Sequence, residues 1–343
     1  MDKQTDASLL DDRRRALDEM YMRRCLQLAR GGQWYAKPNP MVGAVIVSAD
    51  GRIIGEGYHV RCGEAHAEVN AFGSVRAADE RLLAEATIYV SLEPCSHWGK
   101  TPPCADLIVK KGVRRVVCGC VDPYAEVRGR GIERIRQAGI PVTVGVLERE
   151  CLALNRKFIV VSNEKRPYII LKWAQTANHK IAYARSAGAV DVEPLALSSS
   201  FTKMLVHKLR AENGAILVGR ETVNADHPRL NVRLWSGPSP ERLVLTHNAE
   251  GVPSWFKCFD NIGAMLDYLY ANHRQSLIVE GGTVTLNSFI ERGLWDEIRV
   301  ETASFTVPNG VDAPELPANA TLLDKKFYDK NTICQYVNQS QIL

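Results

Sequence analysis

One histidine, one glutamate and two cysteines in the first third of the chain have the types and spacing of a catalytic zinc site. His66 and Glu68 are separated by one residue, Cys95 follows a Glu-Pro pair, and Cys104 follows a Pro-Pro pair with eight residues between the two cysteines. One imidazole and two thiolates give zinc three protein ligands and leave its fourth position open, which is typical of catalytic sites. The pattern therefore predicts His66, Cys95 and Cys104 as zinc ligands.

Glu68 has the chemistry of a proton carrier beside such a metal. Bound zinc lowers the pKa of water from about 15.7 towards roughly 7, which supplies hydroxide at neutral pH. Hydrolytic deamination also needs a proton moved from that water to a ring nitrogen and then to the departing ammonia. A carboxylate beside the metal but not bound to it suits this role. We therefore predict Glu68 as the catalytic residue of a zinc-dependent deaminase.

A structural zinc site is the competing interpretation. It would need a fourth protein ligand, which His97 or Cys62 could supply. Structural sites are closed, however, and they leave no role for a glutamate that is not a ligand. His-Ala-Glu alone is a weak motif, because a histidine near a helix start is often a cap or a surface residue. The joint pattern with both cysteines is far more specific.

The segment around Cys104 predicts a helix that supports its role. Pro102 and Pro103 precede the cysteine, and Gly112 follows the stretch 105–111. Proline at the start and glycine past the end are typical of helix boundaries. Cys104 would then lie in the first turn, where the helix dipole favours the thiolate form that binds metal.

The length and composition indicate two ordinary globular domains. A chain of 343 residues exceeds the usual size of one hydrophobic core, and 45% hydrophobic and 24% charged residues argue against a disordered or fibrous class. The net charge is +4 and the basic residues are spread among acidic ones, so we expect no nucleic-acid partner. The nine cysteines predict free thiols and metal ligands, with Cys118 and Cys120 buried in a strand.

The apolar runs are too short for a membrane protein. None approaches the roughly 18 residues of a membrane span, and the first residues lack the apolar core of a signal peptide. We therefore expect no membrane partner and a cytoplasmic location.

Short apolar runs that alternate with helical stretches predict a layered α/β architecture in both halves. The runs of the first half are 42–47, 88–92, 116–121 and 142–146. After the polar segment 163–167, a second sheet is predicted from the runs 168–171, 215–218, 243–245, 277–279 and 298–300. Residues 201–213 have the spacing of a crossover helix. We assign residues 1–155 to the first domain and residues 156–343 to the second.

Four segments of the first half resemble one enzyme family. They are Pro38 to Val47, Gly55 to His59, His66 to Glu68, and Glu93 to Cys104. Together they resemble the deaminase half of the bifunctional riboflavin-biosynthesis deaminase/reductases. The eight-residue insert between the cysteines is the most specific feature, because nucleoside and nucleic-acid deaminases have two residues there.

The resemblance implies a cytidine-deaminase-like three-layer fold that acts on 2,5-diamino-6-ribosylamino-4(3H)-pyrimidinone 5′-phosphate. It also implies that Asn39 binds the pyrimidine and that His59, His97 and Lys100 line the pocket. The polar insert that carries His97 and Lys100 suits a substrate phosphate. Asn39 could instead be a turn residue between prolines, and Lys100 a solvated loop lysine.

The second half has a weaker pattern of its own. An apolar strand ends at Glu280 and is followed by Gly281 and Gly282 before another helical stretch. Backbone amides at such a turn can hold a phosphate, although an ordinary turn has the same composition.

Segments 219–233 and 279–282 resemble the reductase half of the same family. That half is similar to dihydrofolate reductase in fold and uses NADPH to reduce the ribosyl side chain to ribityl. The resemblance implies a cofactor site formed by Ala174, Thr222, Asp226, Gly282, Thr283, Val284, Thr285, Leu286, Asn287 and Ser288. It implies a reductase substrate site formed by Arg210, Leu230, Arg233 and Glu280. The two guanidinium groups suit a phosphate, although most arginines are simply solvated.

The chain departs from this family in the second half. Asn178 and His179 stand where many members have Asp-Gly, and Pro194 and Ala196 stand where serine and tryptophan often contact substrate and cofactor. A deaminase with a non-reducing second domain is therefore the alternative to a bifunctional enzyme. A nucleic-acid deaminase would need a basic groove with interleaved aromatic side chains, which the mixed charges do not indicate. We expect a homo-oligomer that acts on a small phosphorylated pyrimidine.

Overall fold

The computed structural model describes residues 3–98, 102–123, 128–184 and 195–341. The chain divides into two units, Met1–Glu164 and Lys165–Leu343. The division expected from the sequence, at residues 155 and 156, precedes this point by the length of one helix, Arg156–Glu164, which belongs to the first unit.

The first unit is a mixed five-stranded sheet with helices on both faces. Its strands are β1 (Gly43–Val47), β2 (Ile53–Tyr58), β3 (Thr87–Val90), β4 (Arg115–Cys118) and β5 (Val142–Val144). Its α-helices are α1 (Lys3–Ala29), α2 (Ala67–Gly73), α3 (Cys104–Lys111), α4 (Arg130–Gln137), α5 (Glu148–Leu154) and α6 (Arg156–Glu164). The sheet order is β2-β1-β3-β4-β5. β1 pairs antiparallel with both neighbours, whereas β3, β4 and β5 are parallel.

Strand β1 shows how three layers form. All five of its residues are buried. Ala44 and Ile46 pack in one core with side chains of α2 and α3, and Val45 and Val47 pack in another with side chains of α1 and α5. A strand covered on both faces is apolar throughout. This pattern is what made the strand recognisable in the sequence.

Strand β2 is absent from the sequence-based prediction, because two glycines interrupt its apolar pattern. These glycines have a packing function. A Cβ atom at Gly57 would lie 2.4 Å from the backbone nitrogen of Ala71, and one at Gly55 would lie 2.5 Å from the backbone oxygen of the same residue. Both distances exclude a side chain, so the glycines allow α2 to lie directly on the sheet.

The second unit contains an eight-stranded mixed sheet and a separate two-stranded one. Its strands are β6 (Tyr168–Gln175), β7 (Lys180–Tyr183), β8 (Ala215–Gly219), β9 (Glu241–Leu245), β10 (Lys257–Phe259), β11 (Ser276–Glu280), β12 (Glu297–Ala303), β13 (Gly310–Asp312), β14 (Ala320–Tyr328) and β15 (Asn331–Asn338). Its α-helices are α7 (Ser200–Ala211), α8 (Arg220–Asp226), α9 (Ile262–Ala271) and α10 (Thr283–Glu291). The large sheet has the order β10-β9-β8-β11-β6-β12-β15-β14, and β7 pairs with β13.

The predicted apolar runs of this half lie on β6, β8, β9, β11 and β12, which are parallel to their neighbours except at the β12-β15 pair. The predicted crossover helix is α7, capped by Ser199, whose side chain accepts the Thr202 N–H. The antiparallel strands β14 and β15 are absent from the prediction, because β14 is largely exposed and carries Asp324, Lys325 and Lys326. In the described part of the chain, no helix has both the length and the apolar character to cross a bilayer.

Candidate active sites

Three elements of the first unit bring the predicted zinc ligands together. His66 is the residue before α2, Cys95 lies in the loop after β3, and Cys104 is the first residue of α3. Nδ1 of His66 is 3.6 Å from Sγ of Cys95 and 3.4 Å from Sγ of Cys104. Zinc bonds of about 2.3 Å to sulfur and 2.0–2.1 Å to nitrogen at a tetrahedral angle place the two donors about 3.6 Å apart. The donor set therefore fits a zinc ion.

The cluster has three protein ligands rather than four. Its donor atoms all lie within 4.8 Å of one another, and within the described ranges neither His97 nor Cys62 belongs to the group. Both of those side chains are exposed. A three-ligand group leaves a coordination position for substrate or water, which distinguishes catalytic from structural zinc sites. The geometry favours the catalytic interpretation.

Helix α3 has the boundaries that the sequence predicts. It begins at Cys104 after Pro103 and ends before Gly112, whose φ of +64° lies in the left-handed region. The backbone N–H of Cys104 donates to Sγ of Cys95 at 3.3 Å. The first residue of α3 therefore supplies the Cys104 ligand and also hydrogen-bonds the Cys95 ligand through its backbone.

The two thiols of the cluster differ in acidity. The Cys104 thiol and the His66 ring hydrogen-bond to Cys95 and, against the effect of burial, lower the pKa of Cys95 to about 4. The same hydrogen bond and burial raise the pKa of Cys104. The two thiols are hydrogen-bonded to each other and titrate as a pair.

Glu68 lies in the first turn of α2, two residues after His66. Its side chain is buried, and burial, followed by the negative charge of Cys95, raises the pKa of this carboxyl to about 7. A carboxyl group with this pKa can accept and release a proton near neutral pH. Glu68 is not one of the three metal donors.

His66, Cys95 and Glu68 face one cavity of about 260 Å³, which Asn39, His59 and His97 also line. The Asn39 amide donates to Nε2 of His59 at 3.1 Å. Nδ1 of His59 in turn donates to the Ala65 carbonyl at 3.1 Å. Burial lowers the pKa of His59, so the ring is neutral and its one N–H is used by Ala65. Lys100, the remaining predicted pocket residue, lies outside the described residues.

Several residues that line this cavity were not predicted as site residues, among them Glu93 and Phe158. Glu93 lines it from the segment before Cys95, and Phe158 lines it from α6. A charged residue between an apolar strand and a metal ligand is the signal that could have identified Glu93. Nearby, Asn155 bonds the backbone of Met41 through both its oxygen and its nitrogen, at 2.8 and 2.9 Å, and so holds the loop that carries Asn39.

A second cluster of charged residues lies in the second unit. Nη2 of Arg210 donates to Oε2 of Glu280 at 2.8 Å. Nζ of Lys172 lies 3.7 Å from Oε1 of the same carboxylate. The backbone N–H of Arg233 donates to Nδ1 of His207 at 3.1 Å, so His207 joins Arg233 to the helix that carries Arg210. Leu230 is buried in the segment between α8 and β9.

The Glu280 carboxyl is held in its charged form, and two polar atoms of the cluster lack a hydrogen-bond partner. Burial opposes ionisation of Glu280, but the charges of Lys172 and Arg210 outweigh it and lower the pKa of the carboxyl. Among the described residues, Nε of Arg210 and Oε1 of Glu280 are buried without a hydrogen-bond partner. Buried polar atoms are normally paired, so this donor and acceptor are suited to a ligand. Lys172 and His207 were missed; the signal for Lys172 is a lysine inside an apolar strand.

The predicted cofactor residues Gly282 to Ser288 form the start of a helix rather than a turn. Gly282 precedes α10, and its N–H donates to Oγ1 of Thr222 in α8 at 3.3 Å. A Cβ atom at Gly219 would lie 2.4 Å from Oγ1 of Thr285, so the end of β8 approaches α10 closely. This glycine-lined helix start is a cradle that suits a phosphate.

The predicted cofactor residues differ in what they can offer. Val284 is 85% exposed, and Asp226 is exposed at the end of α8. Leu286 is buried in the core with Phe289, so only its backbone can contact a ligand. Ala174 lies in β6 opposite Glu301 of β12. Thr283, Asn287 and Ser288 lie within α10.

Comparison with known proteins identifies the family. Residues 15–120 match the family model of the cytidine and deoxycytidylate deaminase zinc-binding region, and residues 167–317 match the RibD C-terminal domain. The riboflavin biosynthesis protein RibD of Aquifex aeolicus is 37% identical, with 88% of this chain and 91% of the relative covered. This chain belongs to the RibD family. The RibD protein of Bacillus amyloliquefaciens is 34% identical, with 88% of each chain covered.

A solved structure agrees with this assignment. A Thermotoga maritima protein described as a diaminohydroxyphosphoribosylaminopyrimidine deaminase/5-amino-6-(5-phosphoribosylamino)uracil reductase has a TM-score of 0.82 and 32% identity, with 95% of this chain and 99% of that chain covered. The expected fold class, a cytidine-deaminase-like domain followed by a dihydrofolate-reductase-like domain, is confirmed for this RibD-family chain. The expected riboflavin-biosynthesis family is confirmed as well.

The departures from the family pattern have a structural explanation at one position. The Asn178 amide donates to the Val307 carbonyl at 2.8 Å, and its oxygen accepts the Thr176 hydroxyl at 2.7 Å. An aspartate could not make the first bond, because it has no N–H. Ala196 is exposed, and His179 has a φ of +60°. Pro194 lies outside the described residues.

Proposed function

We propose that the first unit of this RibD-family chain deaminates 2,5-diamino-6-ribosylamino-4(3H)-pyrimidinone 5′-phosphate and that the second unit reduces the deaminated product with NADPH. The observation that carries the proposal is the open cluster of His66, Cys95 and Cys104, with the buried carboxyl of Glu68 facing the same cavity. The description of the Thermotoga maritima relative as a deaminase/reductase supports both activities, and the name of the Aquifex aeolicus relative supports a role in riboflavin biosynthesis.

Zinc held by His66, Cys95 and Cys104 would supply a Lewis acid that activates water for attack on the amino-bearing ring carbon. Glu68 takes the proton of the attacking water and delivers it to the adjacent ring nitrogen. The same carboxyl group then carries the second proton to the leaving nitrogen, which departs as ammonia. Burial raises the pKa of Glu68, which suits this carboxyl to both directions of transfer.

Asn39 and His59 orient the pyrimidine in the proposed deaminase site. Their mutual hydrogen bond and the His59 bond to Ala65 fix the Asn39 amide at the cavity wall before substrate arrives. A fixed amide costs less entropy on binding than a mobile one. His97, exposed at the same cavity, and Lys100 are the proposed contacts to the phosphate end of the substrate.

The second unit is proposed to bind NADPH, which supplies hydride to C1′ of the opened ribosyl group. The proposed cofactor residues are Ala174, Thr222, Asp226 and Gly282 to Ser288, and the glycine-lined start of α10 supports the phosphate part of that set. Arg210, Leu230, Arg233 and Glu280 are the proposed substrate residues. The unsatisfied Nε of Arg210 and Oε1 of Glu280 support a polar ligand there.

One assay tests both halves of this proposal. Zinc-replete protein is incubated with the diaminopyrimidinone phosphate and NADPH, and ammonia release and nicotinamide absorbance are followed together. We expect ammonia first and then loss of the NADPH absorbance. No ammonia would overturn the deaminase assignment. Ammonia with unchanged NADPH would select the alternative, a deaminase whose second domain does not reduce.

We also propose that the chain forms a homo-oligomer in the cytoplasm. β14 ends the large sheet, so among the described strands its outer edge has no partner, and it exposes Leu322, Leu323 and Phe327. An unpaired edge strand with exposed apolar side chains can pair with another chain. All nine cysteines are free, which suits a reducing compartment. Light scattering of the wild type and of Phe327→Lys tests the oligomer, and cell fractionation tests the location.

A further inference from the structure

A second cavity in the second unit involves none of the residues assigned above. It has a volume of about 220 Å³ and lies between α7 and the strands β12, β14 and β15. Leu205, Leu209 and Ile333 supply its apolar lining. Its charged lining contains three cations, Lys208, Arg299 and Lys326, and two carboxylates, Glu212 and Asp324.

Arg299 lies between two carboxylates in β12 that are occupied by other donors. The Glu297 oxygens accept bonds from Tyr168 at 3.2 Å and Gln335 at 3.4 Å. The Glu301 oxygens accept bonds from Ser198 at 2.8 Å and Asn331 at 2.5 Å. Within the described ranges, the Arg299 guanidinium makes no hydrogen bond and no ion pair of its own.

The half-buried guanidinium of Arg299 presents donors that no described side chain uses. Burial lowers the pKa of Arg299, although Glu297 and Glu301 oppose that shift. Its five N–H donors form a planar fork that matches a phosphate or carboxylate. An anion in the cavity would satisfy these donors.

The other charges of the cavity can adjust to such an anion. Nζ of Lys208 lies 4.0 Å from Glu212, and Nζ of Lys326 lies 2.7 Å from Asp324. All four of these side chains are at least about a third exposed, so they can reorient at little cost. The three cations exceed the two carboxylates of the lining by one charge, which favours an anion, and the carboxylates and the Tyr328 hydroxyl offer hydrogen bonds to hydroxyl groups.

The cavity is close to the proposed reductase site but separate from it. In the sheet register, Arg299 is paired with Lys172 of β6, and Lys172 is paired with Glu280 of β11. The three side chains therefore lie on the same face of the sheet, in adjacent strands. The cavity extends away from Glu280, from Arg299 towards β15 and β14.

We propose that this cavity binds a small phosphate monoester with a hydroxylated body, its phosphate on Arg299 and its hydroxyl groups towards Glu212 and Tyr328. The cavity volume of about 220 Å³ is several times the roughly 30 Å³ that one water molecule occupies in liquid. The cavity therefore has room for more than an inorganic phosphate ion. The proposal does not depend on the reductase activity, because no residue of the cavity belongs to that site.

Isothermal titration of the zinc-replete full-length chain with ribose 5-phosphate tests the proposal. The Arg233→Gln background is used, because it removes one arginine of the proposed reductase site. Adding Arg299→Gln should lower the affinity of one class of ribose 5-phosphate sites about tenfold or more, which is the loss expected when a charged hydrogen-bonding partner is removed. Arg299→Lys should retain part of the affinity, and Lys203→Gln, exposed on α7 outside the cavity, should leave it unchanged.

Each outcome decides for or against the proposal. Unchanged binding in Arg299→Gln overturns it. If inorganic phosphate and ribose 5-phosphate bind with equal affinity and both lose affinity in Arg299→Gln, the proposal that the cavity recognises the hydroxyl groups of the ligand is overturned. The site then holds an adventitious ion only. If circular dichroism shows that Arg299→Gln does not fold, the double variant Lys208→Gln/Lys326→Gln takes its place. Weaker ribose 5-phosphate binding by that variant supports the site, and unchanged binding overturns it.

Discussion

The Glu93 carboxylate accepts the backbone N–H of Gly131 at 2.9 Å and so joins the segment before the zinc ligand Cys95 to the start of α4. The same carboxylate accepts the N–H groups of Gly129 at 2.9 Å and Asp122 at 3.1 Å. A Cβ atom at Gly131 would lie 1.8 Å from the Pro94 carbonyl oxygen, so only glycine allows this approach. Glu93 therefore positions the loop that presents Cys95.

Glu93→Gln should destabilise the first unit and weaken zinc binding. The substitution replaces one acceptor oxygen by an NH₂ group that faces backbone donors, and leaving such buried groups unpaired costs about 1–3 kcal/mol. Denaturant unfolding and zinc competition with a chelator measure the two effects. Glu133→Gln, on the exposed face of α4, is the matched control and should change neither. Wild-type zinc affinity in Glu93→Gln would show that Glu93 does not position Cys95.

Glu68→Gln should keep zinc and lose most deamination. The amide retains the size of the side chain but cannot carry the proton, a contribution of typically 10²–10⁴-fold in rate. Ammonia release and metal content are measured on the same sample. Reduction of the already deaminated substrate should continue at the wild-type rate. Loss of both activities together would contradict independent active sites.

Cys95→Ser and Cys104→Ser should each lose metal and destabilise the first unit, because metal binding and folding are coupled. Cys62→Ser provides the control, since Cys62 is exposed and outside the three-ligand cluster. Metal analysis and thermal unfolding with and without added zinc separate the variants. A Cys62 variant that loses zinc would instead support a closed structural site.

Zinc affinity should decrease as the pH falls. The raised pKa of Cys104 means that zinc must displace a proton from this thiol, and competition by protons grows as the pH is lowered. Titrations in two buffers of different ionisation enthalpy would measure the released proton. A pH-independent affinity with no proton release would show that both thiols are already deprotonated in the metal-free protein.

The sequence predicted two kinds of feature correctly. The first is helices and strands with a regular apolar pattern, and the second is residues of metal-binding type at a characteristic spacing. β1 and α3 belong to the first kind, and His66, Cys95 and Cys104 belong to the second. β2 and β14 were missed because glycines or exposed charges replace the apolar pattern. Glu93 and Lys172 were missed because their roles depend on contacts with residues distant in the chain, such as Gly131 and Glu280, which spacing does not reveal.

Glu280 should make the stability of the second unit depend on pH. Its pKa is lowered from the ordinary value of 4.5 by Lys172 and Arg210 despite burial, so near pH 4 the unfolded chain binds more protons at this position than the folded chain does. The stabilisation is therefore fully present above about pH 4.5 and is lost as the pH falls through the lower folded value. Urea unfolding from pH 7 to below pH 4 measures this loss.

Glu280→Gln isolates the contribution of this carboxylate to the loss of stability at low pH. The variant should be less stable at pH 7 by about 3–5 kcal/mol, the typical cost of removing one partner of a buried ion pair. Its stability should also change less between pH 5 and pH 4 than that of the wild type, because the other carboxylates titrate in both proteins. Glu291→Gln, exposed at the end of α10, should follow the wild-type curve. Parallel curves for wild type and Glu280→Gln would mean that Lys172 and Arg210 do not hold Glu280 in its ionised form.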